Sequence, residues 1–222
     1  MIRCEGLVHE YPDGTRALDG IDLEIGAGER VALVGRNGSG KSTLVRHWNT
    51  LLRPTAGRVV IGGLPVEGRH VAELARTVGI AFQDPDRQIF AATCRAEVAF
   101  GPRNLGLRGH ALDQAVRTAL DIVGLAGVDA MNPYDLGRSR RRLLAIASVL
   151  AMATPVVVLD EPTAGLDLAE KERIGAVVEQ LATEGRTVVL VSHDAAFVTA
   201  NVDRIVRLDA GHIAGDDVNP RS

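Results

Sequence analysis

The sequence predicts an α/β fold: a parallel sheet covered on both faces, an antiparallel sheet at its edge, and an inserted α-helical segment. Three observations carry this. Short apolar, β-branched runs recur at residues 30–34, 58–61, 77–82, 155–159, 187–191 and 203–208, alternating with helical patterns at 41–52, 168–182 and 195–200. Continuous apolar strands followed by helices read as parallel strands buried on both sides. The opening differs: residues 2–8 and 21–25 flank a Pro12-Asp13-Gly14 turn, and Ile21-Asp22-Leu23-Glu24-Ile25 alternates strictly, as a half-buried antiparallel strand does. Residues 85–152 offer no strand pattern; helical patterns stand at 111–123 and 140–152, with breaks at Gly101-Pro102 and Asn132-Pro133.

Length and composition bound the rest. A chain of 222 residues buries a sizeable core, and no repeat or linker divides it. We read one domain, with an α/β core at residues 1–84 and 153–222 and a helical subdomain at 85–152. The aromatics are four Phe, two Tyr and one Trp, so the core is aliphatic and platforms for stacking unpaired bases are scarce. With 25 Lys+Arg against 28 Asp+Glu the chain lacks the basic footprint of a nucleic-acid binder. Cys4 and Cys94 make neither a metal-ligand spacing nor a disulfide framework. Met1-Ile2-Arg3-Cys4-Glu5 has no apolar signal core behind it, and the most apolar stretch, 143–153, is about half the ~20 residues that span a bilayer. A soluble protein is expected, held at a membrane only by something else.

Val31-Ala32-Leu33-Val34 leads into Gly35-Arg36-Asn37-Gly38-Ser39-Gly40-Lys41-Ser42-Thr43 and then a helix, the strand–GxxxxGK[ST]–helix arrangement of a P-loop. Its glycines let backbone N–H groups wrap phosphates, and the helix N-terminus adds the positive end of its dipole. Lys41 is placed to reach the β- and γ-phosphates, and the Ser42 hydroxyl to ligate Mg²⁺. A glycine-rich turn by chance is the bland alternative; the strand before and helix after weigh against it.

Pro155-Val156-Val157-Val158-Leu159-Asp160-Glu161 is a buried strand ending in two carboxylates. Ligands of open parallel sheets sit at strand carboxyl ends, so Asp160 is placed to hold Mg²⁺ through water. Side chains alternate along a strand, leaving Glu161 to polarise an attacking water; an acidic helix cap is the alternative. A third strand ends in Ser192-His193-Asp194, where His193 reaches a γ-phosphate or its water. Three consecutive residues do not converge as a Ser/His/Asp triad.

These sites in this order, with Gln83 between the first two, resemble the ATP-binding-cassette (ABC) ATPases over essentially the whole chain. Residues 35–43 match Walker A and 156–161 Walker B. Gln83 matches the Q-loop, Ala164-Gly165-Leu166-Asp167 the D-loop, and His193 the switch. The resemblance implies a P-loop NTPase core binding ATP and Mg²⁺, with Ser42, Gln83 and Asp160 at the metal and Glu161, His193 and Gln83 at the reaction. Tyr11 falls where the family stacks an aromatic on adenine; edge-strand packing is its other reading.

The run Phe82-Gln83-Asp84-Pro85-Asp86-Arg87-Gln88-Ile89-Phe90, continuing to Val98-Ala99-Phe100-Gly101-Pro102-Arg103-Asn104-Leu105, is similar to the energy-coupling factor importers of cobalt, nickel and vitamins. That resemblance implies a second ATPase subunit, a transmembrane coupling subunit seated near Gln83, and a place on the cytoplasmic face of the membrane. Ile89 and Phe90 read equally as anchors of the coupling groove and as subdomain core. The C-terminal extension common in that subfamily is expected to be absent.

One motif departs. The family's LSGGQ signature aligns with Leu136-Gly137-Arg138-Ser139-Arg140, which lacks the paired glycines and the final Gln. In ABC dimers this segment, with Asp167 of the D-loop, meets the nucleotide of the opposite subunit. Arg138 and Arg140 bring bulk where the backbone should approach closely, and cations to the positive end of a helix. A heterodimer with one degenerate site, a homodimer in which Arg replaces hydrogen-bond donors by charge, and an altered, crippled segment all fit. Arg141 and Arg142 read as a solvated basic helix start. Two other classes compete with the transport ATPase: a small-molecule P-loop kinase, which leaves Asp160-Glu161 with Asp167 and His193 unexplained, and an ATP-gated clamp.

Overall fold

Ile2–Glu10 (β1) and Arg16–Ile25 (β2) pair antiparallel across the Pro12-Asp13-Gly14 turn, where Gly14 takes φ +83° and Asp13 accepts the Thr15 N–H. The computed structural model describes residues 1–219. Ala56–Ile61 (β4) adds to the other edge of β1, also antiparallel, and Leu64–Pro65 (β5) closes a four-stranded sheet of order β2-β1-β4-β5. Here the reading of residues 58–61 as a parallel strand is corrected. Val59 and Ile61 are buried while Arg58 is exposed, so the segment buries one face. The Gly62-Gly63 turn, both at positive φ, returns the chain as a hairpin instead of sending it into a helix.

The second sheet is built from Arg30–Val34 (β3), Val78–Ala81 (β6), Val156–Asp160 (β7), Thr187–Val191 (β8), Arg204–Asp209 (β9) and His212–Val218 (β10), in the order β10-β9-β3-β8-β7-β6. All neighbours are parallel except the edge pair β9–β10. Its strands β3, β6, β7 and β8 are almost wholly apolar because both faces are covered there, whereas β9 and β10 at one edge carry exposed charges. Val31, Leu33, Val156, Val158, Val189 and Val191 face the antiparallel sheet and Lys41–His47 (α1). Ala32, Val157, Leu159, Val188 and Leu190 face the longer helices. Each of these Val and Leu side chains, fully buried, stabilises by about 1.5–3 kcal/mol, so aliphatic strands supply what few aromatics do not.

α1 stops at His47, short of the pattern's end at 52, and Thr50 turns at φ +61°. Val71–Leu74 (α2) precedes β6. Between β6 and β7 lie Cys94–Asn104 (α3), Gly109–Ile122 (α4) and Arg138–Leu150 (α5), and Ala153 at φ +50° turns the chain into β7. α3 runs through Gly101-Pro102, where a break is expected. Thr93 caps its start, Pro102 stands near its end, and a Cβ on Gly101 would meet Met152 Cγ at 2.6 Å. That glycine allows close packing rather than marking a turn. Leu168–Thr183 (α6) and Ala195–Asn201 (α7) complete the helices; among the described residues none is long and apolar enough to cross a membrane.

Candidate functional site

The order β3-β8-β7-β6 sets four strand carboxyl ends side by side, so the segments beginning at Gly35, Ser192, Glu161 and Phe82 open on one edge of the sheet. In the P-loop, two glycines are required by space as well as by φ. A Cβ on Gly35 (φ +149°) would stand 2.2 Å from the Leu208 carbonyl oxygen, and one on Gly40 (φ +104°) 2.6 Å from that of Ala17. Gly38 turns at φ +80°, Asn37 is exposed at the same turn, and Ser39 donates its N–H to Arg36 O at 3.1 Å. Lys41 is buried and folds back over its own loop, donating from Nζ to Gly35 O at 2.8 Å and Arg36 O at 3.0 Å. Those carbonyls solvate the ammonium until stronger anionic acceptors compete for it.

Ser42 Oγ donates to Asp160 Oδ2 at 3.2 Å. Asp160 is 7% exposed and its Oδ1 has no hydrogen-bond partner, so burial raises this carboxyl above the usual carboxylate range despite Ser42. A hydroxyl, an unpartnered carboxylate oxygen and the Gln83 amide on the same cleft form the hard-oxygen set that suits Mg²⁺. That cleft, about 960 Å³, opens between the P-loop edge and the start of α5, with Ser42, Arg46, Gln83, Arg138, Arg142 and Asp160 among its walls.

At Glu161 the strand ends abruptly. The residue sits at φ +50°, a left-handed conformation costing a non-glycine residue roughly 1–2 kcal/mol. Its N–H donates to Val191 O at 2.7 Å, and its buried carboxylate lies 2.8 Å from Nδ1 of exposed His193. Ser192 is fully buried and its hydroxyl accepts the Asp194 N–H; Asp194 caps α7 and takes the Lys171 ammonium at 2.7 Å. No triad forms. Asp167 caps α6 in a reciprocal box with Glu170 and is exposed.

Tyr11 hydrogen-bonds Thr43 Oγ1 at 3.0 Å and meets His9 edge-on. His9 and His47 are buried as a pair, His47 Nδ1 lying 2.7 Å from Thr43 O. Nδ1 donates there, since a carbonyl only accepts. Burial pushes the His47 imidazolium below its ordinary value.

Leu136 is buried; Gly137 caps α5 without a side-chain bond, Ser139 is half-buried, and Arg138 and Arg140 are exposed in a first turn that has no acidic residue. The reading of Arg141 and Arg142 as solvated is corrected. Arg141 donates to Leu136 O at 2.8 Å, pairs with Asp86 at 2.9 Å and stands 5.8 Å over the Tyr134 ring. Arg142 is 7% exposed and donates from Nη2 to Gln83 O at 2.8 Å. Both face a loop more than fifty residues earlier, which periodicity along α5 does not reveal.

That loop is fastened throughout. Gln88 Oε1 accepts the Phe82 N–H, and its Nε2 donates to Ala145 O and Ser148 Oγ. Tyr134 donates to Ile89 O, and buried Glu97 accepts from Phe90 N and Ala91 N. In the sequence Gln88 is named only within a resembling run and Arg142 reads as solvated; the anchoring contacts of Gln88, Glu97, Tyr134 and Arg142 span distant parts of the chain and leave no local pattern. The alternatives for Ile89 and Phe90 now separate. Ile89 is 3% exposed in the core, whereas Phe90 is 61% exposed and T-stacked on Phe100 at 4.8 Å. Phe90 and Phe100 edge a hollow of about 310 Å³ that also meets Phe82, Gln88 and Met152.

Comparison with known proteins gives a consistent result. A family model described as ABC transporter matches residues 18–164. An energy-coupling factor transporter ATP-binding protein of Methanocaldococcus jannaschii is 41% identical over 96% of this chain and 77% of its own length. A putative ABC transporter ATP-binding protein of Methanosarcina mazei is 41% identical over 99% of the chain, which spans only 44% of that longer relative. Among solved structures, CbiO1 of Clostridium perfringens, part of the transporter complex CbiONQ, superposes with a TM-score of 0.86 at 34% identity, covering 99% of this chain and 88% of that one. A dimeric ATP-binding cassette in a post-hydrolysis state with ADP and phosphate superposes with a TM-score of 0.92 at 26% identity, over 98% of both chains.

Proposed function

The chain belongs to the ABC transporter family of ATP-binding proteins, and from that footing we propose that it is the ATP-hydrolysing subunit of an energy-coupling-factor-type importer of a metal ion or vitamin. The observation that carries this is the convergence of Lys41, Ser42, Asp160, Glu161 and His193 at adjacent strand ends, with Gln83 entering from β6.

In this reading Gly35, Asn37, Gly38, Ser39, Gly40, Lys41, Ser42 and Thr43 cradle the phosphates of ATP, and Tyr11 stands at the base. Lys41 leaves the carbonyls of Gly35 and Arg36 for the β- and γ-phosphates. Ser42, Gln83 and Asp160 would hold Mg²⁺, which when bound neutralises charge on those phosphates. Glu161 orients the attacking water and takes its proton. His193, within reach of the same carboxylate, steadies the γ-phosphate as the bond to the leaving ADP oxygen breaks. The strained backbone of Glu161 belongs to this role: strain persists where surrounding structure holds a residue for function.

Leu136, Gly137, Arg138, Ser139, Arg140 and Asp167 then face the nucleotide of a second ATPase subunit. Since the hydrolytic residues of this chain are complete and only that segment departs, the reading favoured is a heterodimer with one degenerate site. Residues 85–152 act as the helical subdomain and residues 1–84 with 153–222 as the ATP-binding core. The hollow at Phe90 and Phe100 receives the transmembrane coupling subunit, which supplies the only membrane contact, on the cytoplasmic face. Exposed aromatics rimming a hollow support it.

The test is phosphate release from Mg-ATP by the purified chain over a wide protein range, with Glu161→Gln as the blank. Tight ATP binding without turnover, restored by a second ATPase subunit carrying an intact signature, is the expected result. Turnover rising steeply with concentration would establish a homodimer instead. Phosphoryl transfer to a small acceptor would make it a kinase, and failure to join any candidate membrane subunit would make it a clamp.

A further inference from the structure

The most constrained group left without a role is Arg142. A cation this buried is costly unless it is bonded and balanced. Its Nη2 is bonded to Gln83 O, and its Nη1 lies 3.7 Å from where a Cβ on Gly165 would stand. The nearby charges of Glu161 and Asp84 favour the cation, while Arg138, one turn earlier on α5, opposes it. Burial and Arg138 together bring the guanidinium below its ordinary value, and its Nε has no hydrogen-bond partner, so the bond from Nη2 to Gln83 O is the one hydrogen bond this buried cation makes among the described residues.

The acceptor of that bond, Gln83, is held by little else. Its side chain is exposed, and among the described residues it makes a single hydrogen bond, the one that Arg142 gives its carbonyl. With the Phe82 N–H held by Gln88 Oε1 on one side, the Arg142 bond fixes the Gln83 backbone from which its side chain lines the cleft with Ser42 and Asp160. The rest of the loop is fastened to α5 through Asp86 and Gln88, so Arg142 completes that attachment at the residue nearest the chemistry.

We propose that Arg142 is a positioning residue for Mg-ATP: by holding the Gln83 carbonyl, it sets the Gln83 side chain against the Ser42–Asp160 pair, and so couples the placement of α5 to the affinity of this chain's own site for the metal–nucleotide. The proposal rests on the ATPase reading. Groups that orient a ligand without touching the metal typically carry 10–100-fold in affinity.

The experiment uses the full chain, a fluorescent methylanthraniloyl-ATP probe with titrated Mg²⁺, and the corresponding ADP probe in EDTA. Arg142→Gln is expected to raise the half-saturating Mg²⁺ by about 10-fold and to leave metal-free ADP binding unchanged. Gln83→Ala is expected to do the same, and the double variant no more than either, because both act through one contact. Arg142→Lys, which keeps the charge and a donor, is expected to fall between and serves if Arg142→Gln does not fold. Unchanged Mg²⁺ dependence, additive effects with Gln83→Ala, or a parallel loss of ADP binding would each overturn the proposal, the last by making Arg142 merely structural. An unsubstituted chain that bound neither probe would refute the ATPase reading itself, a separate failure.

Discussion

Neutralising the first turn of α5 with the double variant Arg138→Gln, Arg140→Gln should make the isolated chain more stable. Gln and Arg have nearly equal helix propensity, so the change isolates charge. Both residues are exposed at the helix start, Gly137 offers no side-chain cap, and no acidic residue lies in that turn. Each cation against the positive end of the helix dipole costs about 0.3–1 kcal/mol at low salt. Removing Arg138 also relieves its i,i+4 opposition to Arg142, worth ~0.2–0.5 kcal/mol. The expected gain is roughly 1–2 kcal/mol, about 2–4 °C in Tm per kcal/mol for a chain of this length. Urea unfolding at about 0.01 M and about 1 M salt provides the check, since the screening length falls from ~30 to ~3 Å. The gain should be full at low salt and largely lost at high salt. No gain at low salt, or one insensitive to salt, would refute the electrostatic reasoning. A confirmed gain means that the arginines oppose this chain's own folding and are kept for a contact outside it.

Three further outcomes are expected. Glu161→Asn, which tolerates positive φ better, should abolish phosphate release while raising stability by about 1 kcal/mol in urea unfolding, because the left-handed strain at φ +50° is relieved. Phe90→Glu should leave nucleotide binding intact and prevent co-purification with a transmembrane coupling subunit, since Phe90 is exposed beside the hollow and far less committed to the core than Ile89. His47 is held neutral by burial, so the folded state binds fewer protons than the unfolded one once pH drops below about 6.5. Stability is therefore whole above that value and lost as pH falls toward the depressed folded value. The slope is at most about 1.4 kcal/mol per pH unit, and His47→Asn, keeping a donor for Thr43 O, should flatten it.

Much of this was legible beforehand because it is local. β3, β7 and β8 begin and end within a residue of their apolar runs, and the P-loop is a contiguous string whose strand and helix are its neighbours. What was not legible depends on contacts across the chain. The β-branched run at 58–61 does not declare its sheet; the Gly62-Gly63 turn does. Gly101-Pro102 resembles a break until Met152 is found against the glycine. Arg141 and Arg142 look solvated in a run of four basic residues out of five, and only the loop at 83–86 shows otherwise. Lys41 turned back on its own carbonyls, and Tyr11 tied to Thr43, are likewise arrangements that no spacing announces.

The inserted helices α3, α4 and α5 join the sheet through two chain connections and through apolar side chains that share one core with Val157, Leu159, Val188 and Leu190. β6 and β7 are adjacent and parallel, so the chain departs beyond Ala81 at one end of the pair and re-enters before Val156 at the other. Four residues of β6 separate those attachments by about 13 Å along the strand direction. The segment is thus held at both ends of one line and also along its apolar face, which rests on the sheet. Phe90 and Arg138 lie on this same inserted segment, fastened together through Asp86, Gln88, Arg141 and Tyr134. A load placed on Phe90 is therefore expected to reach the start of α5 through these bonds and the apolar packing beneath them.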